Sequence, residues 1–164
     1  MSRRKSREAA LLFLYQLEFR TDEIDPQKAI FLQEFPIQGK DLEYFNMIVD
    51  GVTAQKDELD RTYSTYLIGW KIDRIPKIDL VLLRIACFEI LHIESIPKSV
   101  SISEAVILAK LYSTEEAKSY INAILGKIEI DAFESGRLEP EHSDFDDGDS
   151  SVNGSEIYES EKVE

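Results

Sequence analysis

The sequence contains one cysteine, Cys87, and only two histidines among 164 residues. A lone thiol excludes an intramolecular disulfide, and two imidazoles are too few for a His/Cys metal signature. Cys87 falls inside an apolar, helix-like run, where a thiol packs as a small hydrophobe. No run approaches the roughly 18 apolar residues of a membrane span. The N-terminus is basic, but Glu8 and Gln16 interrupt it and no small-residue cleavage site follows, so it does not read as a secretory signal. There is no P-loop glycine pattern, no nucleophile elbow, and no Cys/His pair in a catalytic signature. The paired acids Glu115-Glu116 and Asp146-Asp147 read as a helix start and a solvated segment rather than catalytic dyads. The expectation is a soluble cytoplasmic protein that is not an enzyme and needs no cofactor or metal.

Positive charge is also in short supply, with 19 Lys and Arg against 32 Asp and Glu and a net charge of −13. The deficit is uneven. From Asp131 onward, twelve acids face only Arg137 and Lys162, a net of −10, whereas Met1 to Ile130 hold twenty acids and seventeen bases, a net of −3. The acidic balance therefore describes the C-terminal segment and does not exclude a nucleic-acid partner. Arg3, Arg4, Lys5 and Arg7 open a strongly apolar helix running through Ala9, Ala10, Leu11, Leu12, Phe13, Leu14 and Tyr15. Positive charge at a helix N-terminus opposes the helix dipole, at about 0.3–1 kcal/mol per exposed charge. An anionic partner reverses that cost, because basic side chains and free backbone N–H groups then face the same anion. Phosphate is the partner this arrangement suggests.

Helical periodicity dominates, with no convincing period-2 alternation. With 43% hydrophobic residues, the chain can bury a core as one domain, or as two small subdomains sharing it. The pattern predicts a first helix over Arg3 to Phe19 and a second from Pro26, capped by Asp25. A third, capped by Asp41, carries Leu42, Phe45, Ile48, Val49 and Val52, and helical potential continues past a break near Gly51 to about Leu67. Gly69 and Pro76 bracket a connection. Ile78 to Ile93 is apolar on most faces and reads as the most buried helix. Ser101 and Glu104 have capping-box spacing at the head of a helix ending near Tyr112. In the last helix, from about Thr114, Ala117, Tyr120, Ile121, Ile124, Leu125 and Ile128 form a clean stripe. About seven helices result, in a helical domain 1–134 with subdomains of about 1–67 and 68–134. Residues 135–164, rich in Asp, Glu, Ser and Gly, cannot offset their ordering entropy and are expected to be disordered.

Three places carry off-pattern residues. Arg3 and Arg7, four apart, share a helical face with Arg4 and Lys5 beside it, a comb able to neutralise several phosphates of one strand; a solvated basic face is the bland alternative. Asn122 points about 140° from the Ala117 side of its helix. Beside Tyr120 it offers an amide for a base edge and a ring for stacking. An interhelical hydrogen bond with a core tyrosine is the other reading, and spacing alone favours it. Arg84, inside Val81-Leu82-Leu83-Arg84-Ile85-Ala86, needs a buried partner, with Glu89 or Glu104 as candidates.

Four blocks in order resemble the NusB family of bacterial transcription antitermination factors. They are Arg3 to Ala10 with Leu14-Tyr15; Trp70 to Ile75 leading to Asp79 and Leu83 to Ile90; Ile96 to Ala105 with Ala109-Lys110; and Tyr120 to Leu125. The resemblance covers residues 3–130. Departures are Ser103 for a usual Asn, Ala123 for a usual Gly, Gly126 for a usual Asp, and Leu80 at a commonly basic position. The resemblance implies an all-α fold of two small packed bundles. It also implies binding of single-stranded boxA RNA as a heterodimer with NusE, a small-subunit ribosomal protein, within the RNA polymerase antitermination complex of ribosomal RNA operons. Carried over by position, Arg3, Arg4, Lys5, Arg7, Glu116, Tyr120 and Asn122 are implied RNA contacts, and Asp79 an implied NusE contact. Some members of the family self-associate, so a homodimer is a further implied partner.

Two other readings stand beside this one. Similar domains precede the catalytic domain of ribosomal RNA cytosine methyltransferases, for which this chain has neither room nor a cofactor-binding glycine motif. A helical protein-interaction module without an RNA role is the second. The opposite charges of the two ends also suggest that the acidic segment shields the basic helix; a merely solubilising extension is the simpler account.

Overall fold

The computed structural model describes residues 3–67, 69 and 72–134. Trp70 and Lys71, and the acidic segment 135–164 for which disorder is expected, lie outside the described residues. Among the described residues seven α-helices follow in order: α1 (Arg4–Leu17), α2 (Ile24–Glu34), α3 (Gly39–Ala54), α4 (Lys56–Ser64), α5 (Lys77–His92), α6 (Lys98–Tyr112) and α7 (Glu115–Glu134). One 3-10 turn, Ile72–Arg74, precedes α5, and no strand occurs among the described residues. The all-α architecture is the one the periodicity predicts.

Helix α5 is the hub, as its all-round hydrophobicity requires. Every residue from Asp79 to Ile90 is buried, because α1, α3, α4, α6 and α7 all pack on it. A single continuous core therefore joins the N-terminal helices to α6 and α7. On the N-terminal side, Phe13 meets Phe31 and Phe45 with ring centroids 5.3 and 5.9 Å apart. Cys87 is fully buried, and burial, reinforced by Asp60, pushes its thiol up to about 12. It packs as a hydrophobe and is not a nucleophile at neutral pH.

Several local expectations are corrected. Helix α2 begins at Ile24, after Glu23, with no side-chain cap. Asp25 and Pro26 thus lie inside its first turn, where a carboxylate suits the dipole and a missing N–H costs nothing. Helix α3 begins at Gly39, whose φ of +59° is glycine territory, and Asp41 again falls in the first turn. The break after α3 comes at Gln55, not Gly51. Gly51 instead permits close approach to α5, since a Cβ there would sit 2.1 Å from Phe88 Cζ. The Ser101–Glu104 capping box does not form, because α6 starts at Lys98. Thr114 does cap α7, its Oγ1 accepting the Ala117 N–H at 3.0 Å.

Arg84 has different partners from those expected. Its Nε and Nη2 donate to Asp60 at 2.7 and 3.0 Å, and Nη1 donates to Glu18 at 2.5 Å. Burial raises the Glu18 carboxyl, but Arg84 and Lys56 outweigh it, and the net direction is down. The reason is angular: Arg84 and Glu89 are five residues apart, about 140° around α5, so they serve opposite flanks of the hub.

Candidate nucleic-acid interface

Helix α1 delivers its basic residues to a seam with the start of α6. Arg3, Arg4 and Arg7 line a groove of about 290 Å³ with Ser95, Ile96, Pro97, Val100 and Glu104. The seam forms because α5 ends at His92 and Pro97 redirects the chain into α6, which brings the 95–97 turn against the α1 N-terminus. Arg3 and Lys5 are exposed. The Arg3 guanidinium lies 4.8 Å from the Tyr44 ring centroid, a cation–π contact that leaves its edge open to an anion. Arg4 is half exposed and pairs with Glu104 through two bonds of 2.9 Å. That hydrogen bond, ahead of the charge itself, holds the Glu104 carboxyl below its ordinary range against the opposing effect of burial.

Arg7 is placed differently from the other three. It is 4% exposed, and its Nε donates to Glu89 at 2.7 Å. The second Glu89 oxygen accepts the Ser101 hydroxyl, also at 2.7 Å. Arg7 also sits 5.7 Å from the Tyr44 ring centroid. Burial and the neighbouring Glu89 push the Tyr44 hydroxyl upward, so it stays protonated. Arg7, Glu89, Ser101 and Tyr44 thus form a buried polar layer beneath the exposed cations, tying α1, α3, α5 and α6 together. Ser6 adds a bond from its hydroxyl to the Asp41 carbonyl at 2.9 Å. The sequence offers Glu89, a glutamate inside an apolar helix, as a partner for Arg84, whereas the structure gives it to Arg7; nothing in the spacing marks Tyr44.

The remaining candidates cluster on α7 and α5. The Tyr120 hydroxyl donates to Asp79 Oδ2, so the structure joins a residue assigned to RNA with one assigned to a protein partner. Tyr120 is half-buried; burial, then Asp79, shifts its hydroxyl upward. Asp79 is 1% exposed, and its other oxygen, Oδ1, is buried without a hydrogen-bond donor. Glu116 lies one turn before Tyr120 and is exposed. Asn122 is exposed as well, but two positions along a helix is about 200° around it. Tyr120 and Asn122 therefore do not share a face, and no α7 residue lines the α1–α6 groove.

These features define a helical binding protein with a cationic seam; among the described residues no group of His, Cys, Asp or Glu is disposed to hold a metal ion. No helix among them is long and apolar enough to cross a membrane. The chain belongs to the NusB family, whose model matches residues 4–129. It is 44% identical over 128 residues to the transcription antitermination protein NusB of Acetivibrio thermocellus, covering 78% of this chain and 88% of that one. The Bacillus pumilus transcription antitermination protein NusB is 40% identical over 131 residues, covering 80% and 97%. Among solved structures, T. maritima NusB superposes with a TM-score of 0.71 at 31% identity, covering 79% of this chain and 92% of that one. The NusB of a complex of antitermination factors NusB and NusE with double-stranded RNA gives 0.72 at 25% identity, covering 79% and 96%.

Proposed function

We propose that this chain is a cytoplasmic antitermination factor that binds boxA-type single-stranded RNA as a heterodimer with NusE, supporting processive transcription of ribosomal RNA operons. The observation that carries this reading is the cationic seam of α1 and α6 on a NusB fold. Its mechanism is assembly rather than catalysis. Arg3, Arg4 and Lys5 provide phosphate contacts, which set affinity and salt dependence, while exposed groups on α7, Glu116 and Asn122 among them, face bases. Arg7 acts from below, holding α1 in register. Tyr120 and Asp79 act as a pair: the buried carboxylate orients the ring, and the ring covers the carboxylate. Asp79 thereby contributes to the NusE-facing surface by positioning α5 against α7.

The deciding experiment is fluorescence anisotropy of a labelled boxA RNA and a scrambled control, titrated with this protein in the presence of NusE. Preferential binding of boxA that strengthens with NusE is expected. Equal or absent binding of both RNAs with active NusE present would move the function to a protein-interaction module. A second result concerns Glu104, which occupies the Arg4 guanidinium that a phosphate must capture. Glu104→Gln is expected to raise affinity for single-stranded RNA about two- to fivefold at low salt, as befits an exposed ion pair. The same titration checks it, and unchanged affinity would remove Arg4 from the contact surface.

A further inference from the structure

We propose that the acidic segment 135–164 of this chain docks on the α1–α6 groove and competes there with RNA phosphates; the competition rests on the RNA reading above, the docking does not. The segment carries ten acidic residues against Arg137 and Lys162. Its densest stretch holds Asp144, Asp146, Asp147 and Asp149, with Phe145 among them. The receiving surface has matching chemistry. Arg3 lines it and is exposed, Lys5 is exposed next to Arg4 on α1, and Val100, 39% exposed, offers it an apolar wall beside Ile96 and Pro97. Acids flanking one aromatic ring suit a cationic groove with an apolar wall.

Clustering of charge favours this seat: Arg3, Arg4 and Lys5 are three consecutive exposed cations, whereas other exposed bases without an acidic partner among the described residues, Arg20, Arg61, Arg74, Lys110 and Lys127, are scattered along the chain. Lys28 faces Asp50, Lys56 and Lys77 face Glu18, and Lys118 faces Glu115, at 3.4–3.8 Å. Lys5, beside Arg4 on α1, and Lys40, which lines a neighbouring hollow that shares Arg3 with the groove, have no acidic partner among the described residues. Reach is no obstacle. Thirty residues span up to about 100 Å when extended, whereas a domain of this size has a radius of gyration of about 14 Å. Tethering makes the encounter intramolecular, at an effective concentration of about a millimolar, so a weak electrostatic contact is populated. Residues 135–164 lie beyond the family match, which ends at residue 129, so the device belongs to this chain rather than to the fold. Its effect is selective. RNA held only through phosphates must displace the segment, whereas RNA that adds base contacts has energy in excess of that cost.

The test compares the full chain with a full-length variant carrying Asp144→Asn, Asp146→Asn, Asp147→Asn and Asp149→Asn. Anisotropy of a labelled scrambled single-stranded RNA is measured at about 50 mM and about 300 mM salt, because screening separates the two regimes. The variant is expected to bind about three- to tenfold more tightly at low salt, with the difference gone at high salt. Equal affinities at low salt overturn the proposal. A labelled synthetic peptide of residues 135–164 is also titrated onto a chain ending at Glu134, a cut that removes nothing from the family match. Binding at low salt that is lost on combining Arg3→Glu with Lys5→Glu upholds the docking, and absence of binding overturns it. If no chain binds RNA, the RNA reading has failed, and the peptide titration alone decides the docking.

Discussion

Arg7→Ala is expected to destabilise the fold by about 3–5 kcal/mol, the cost of leaving one partner of a buried ion pair uncompensated. Glu89 would be left without its cation at a position 1% exposed, with the Ser101 hydroxyl as its remaining donor. Domains of this kind are stable by about 5–15 kcal/mol in total, so the loss is a large fraction. Urea unfolding followed by circular dichroism should show a lowered midpoint with an unchanged slope. The double variant Arg7→Met with Glu89→Met should recover most of the loss, because replacing both members of a buried pair by apolar groups removes the stranded charge. A loss below about 1 kcal/mol for Arg7→Ala, together with a large fall in RNA affinity, would place Arg7 on the RNA surface instead.

The three exposed cations should behave in the opposite way. A chain carrying Arg3→Glu, Arg4→Glu and Lys5→Glu is expected to fold normally and to lose about 100-fold or more in RNA affinity near physiological salt. The log–log salt slope should shrink by about 2, since each phosphate contact to a single strand contributes about 0.7. Normal folding follows from position. Arg3 and Lys5 are exposed and the Arg4 side chain is half exposed, so none of the three new carboxylates is buried. The main structural cost is the loss of the Arg4 partner of Glu104, whose side chain is 14% exposed. The reversal also relieves unfavourable charge at the α1 N-terminus. Anisotropy across a salt series checks the affinity and a thermal melt checks the fold. Unchanged affinity and slope would mean that the groove does not contact phosphate. Together with Arg7→Ala, this variant separates recognition from architecture within five residues of sequence.

Four basic residues in five positions look equivalent in a linear string, but a helix turns about 100° per residue. That rotation sets Lys5 about 200° from Arg7. Arg3 and Arg4 lie within about 60° of Arg7 and are exposed because they stand one turn earlier, at the open end of α1, while Arg7 reaches Glu89. Tyr120 and Asn122 show the same effect. Their proximity in sequence suggested one site, whereas helical geometry places them on different flanks, and only packing against α5 brings Tyr120 to Asp79. The pairing of buried charges was equally hidden. Arg84 and Glu89 are each marked as unusual by their apolar surroundings, yet which acid meets which base depends on the neighbours of α5 on each side. Those partners, Asp60, Glu18 and Arg7, are 24, 66 and 82 residues away along the chain.

What the sequence determined by itself is therefore the local and periodic part. The helical class, the burial of α5, the inertness of Cys87 and the presence of a cationic α1 follow from side-chain spacing and chemistry, which act within a few residues. Its family motifs also pointed to RNA. Tertiary structure decided which of those cations face solvent, which carboxylates neutralise the others, and where α6 begins. Those outcomes depend on contacts between distant segments, whose angles and distances are set only when the helices close around a common core.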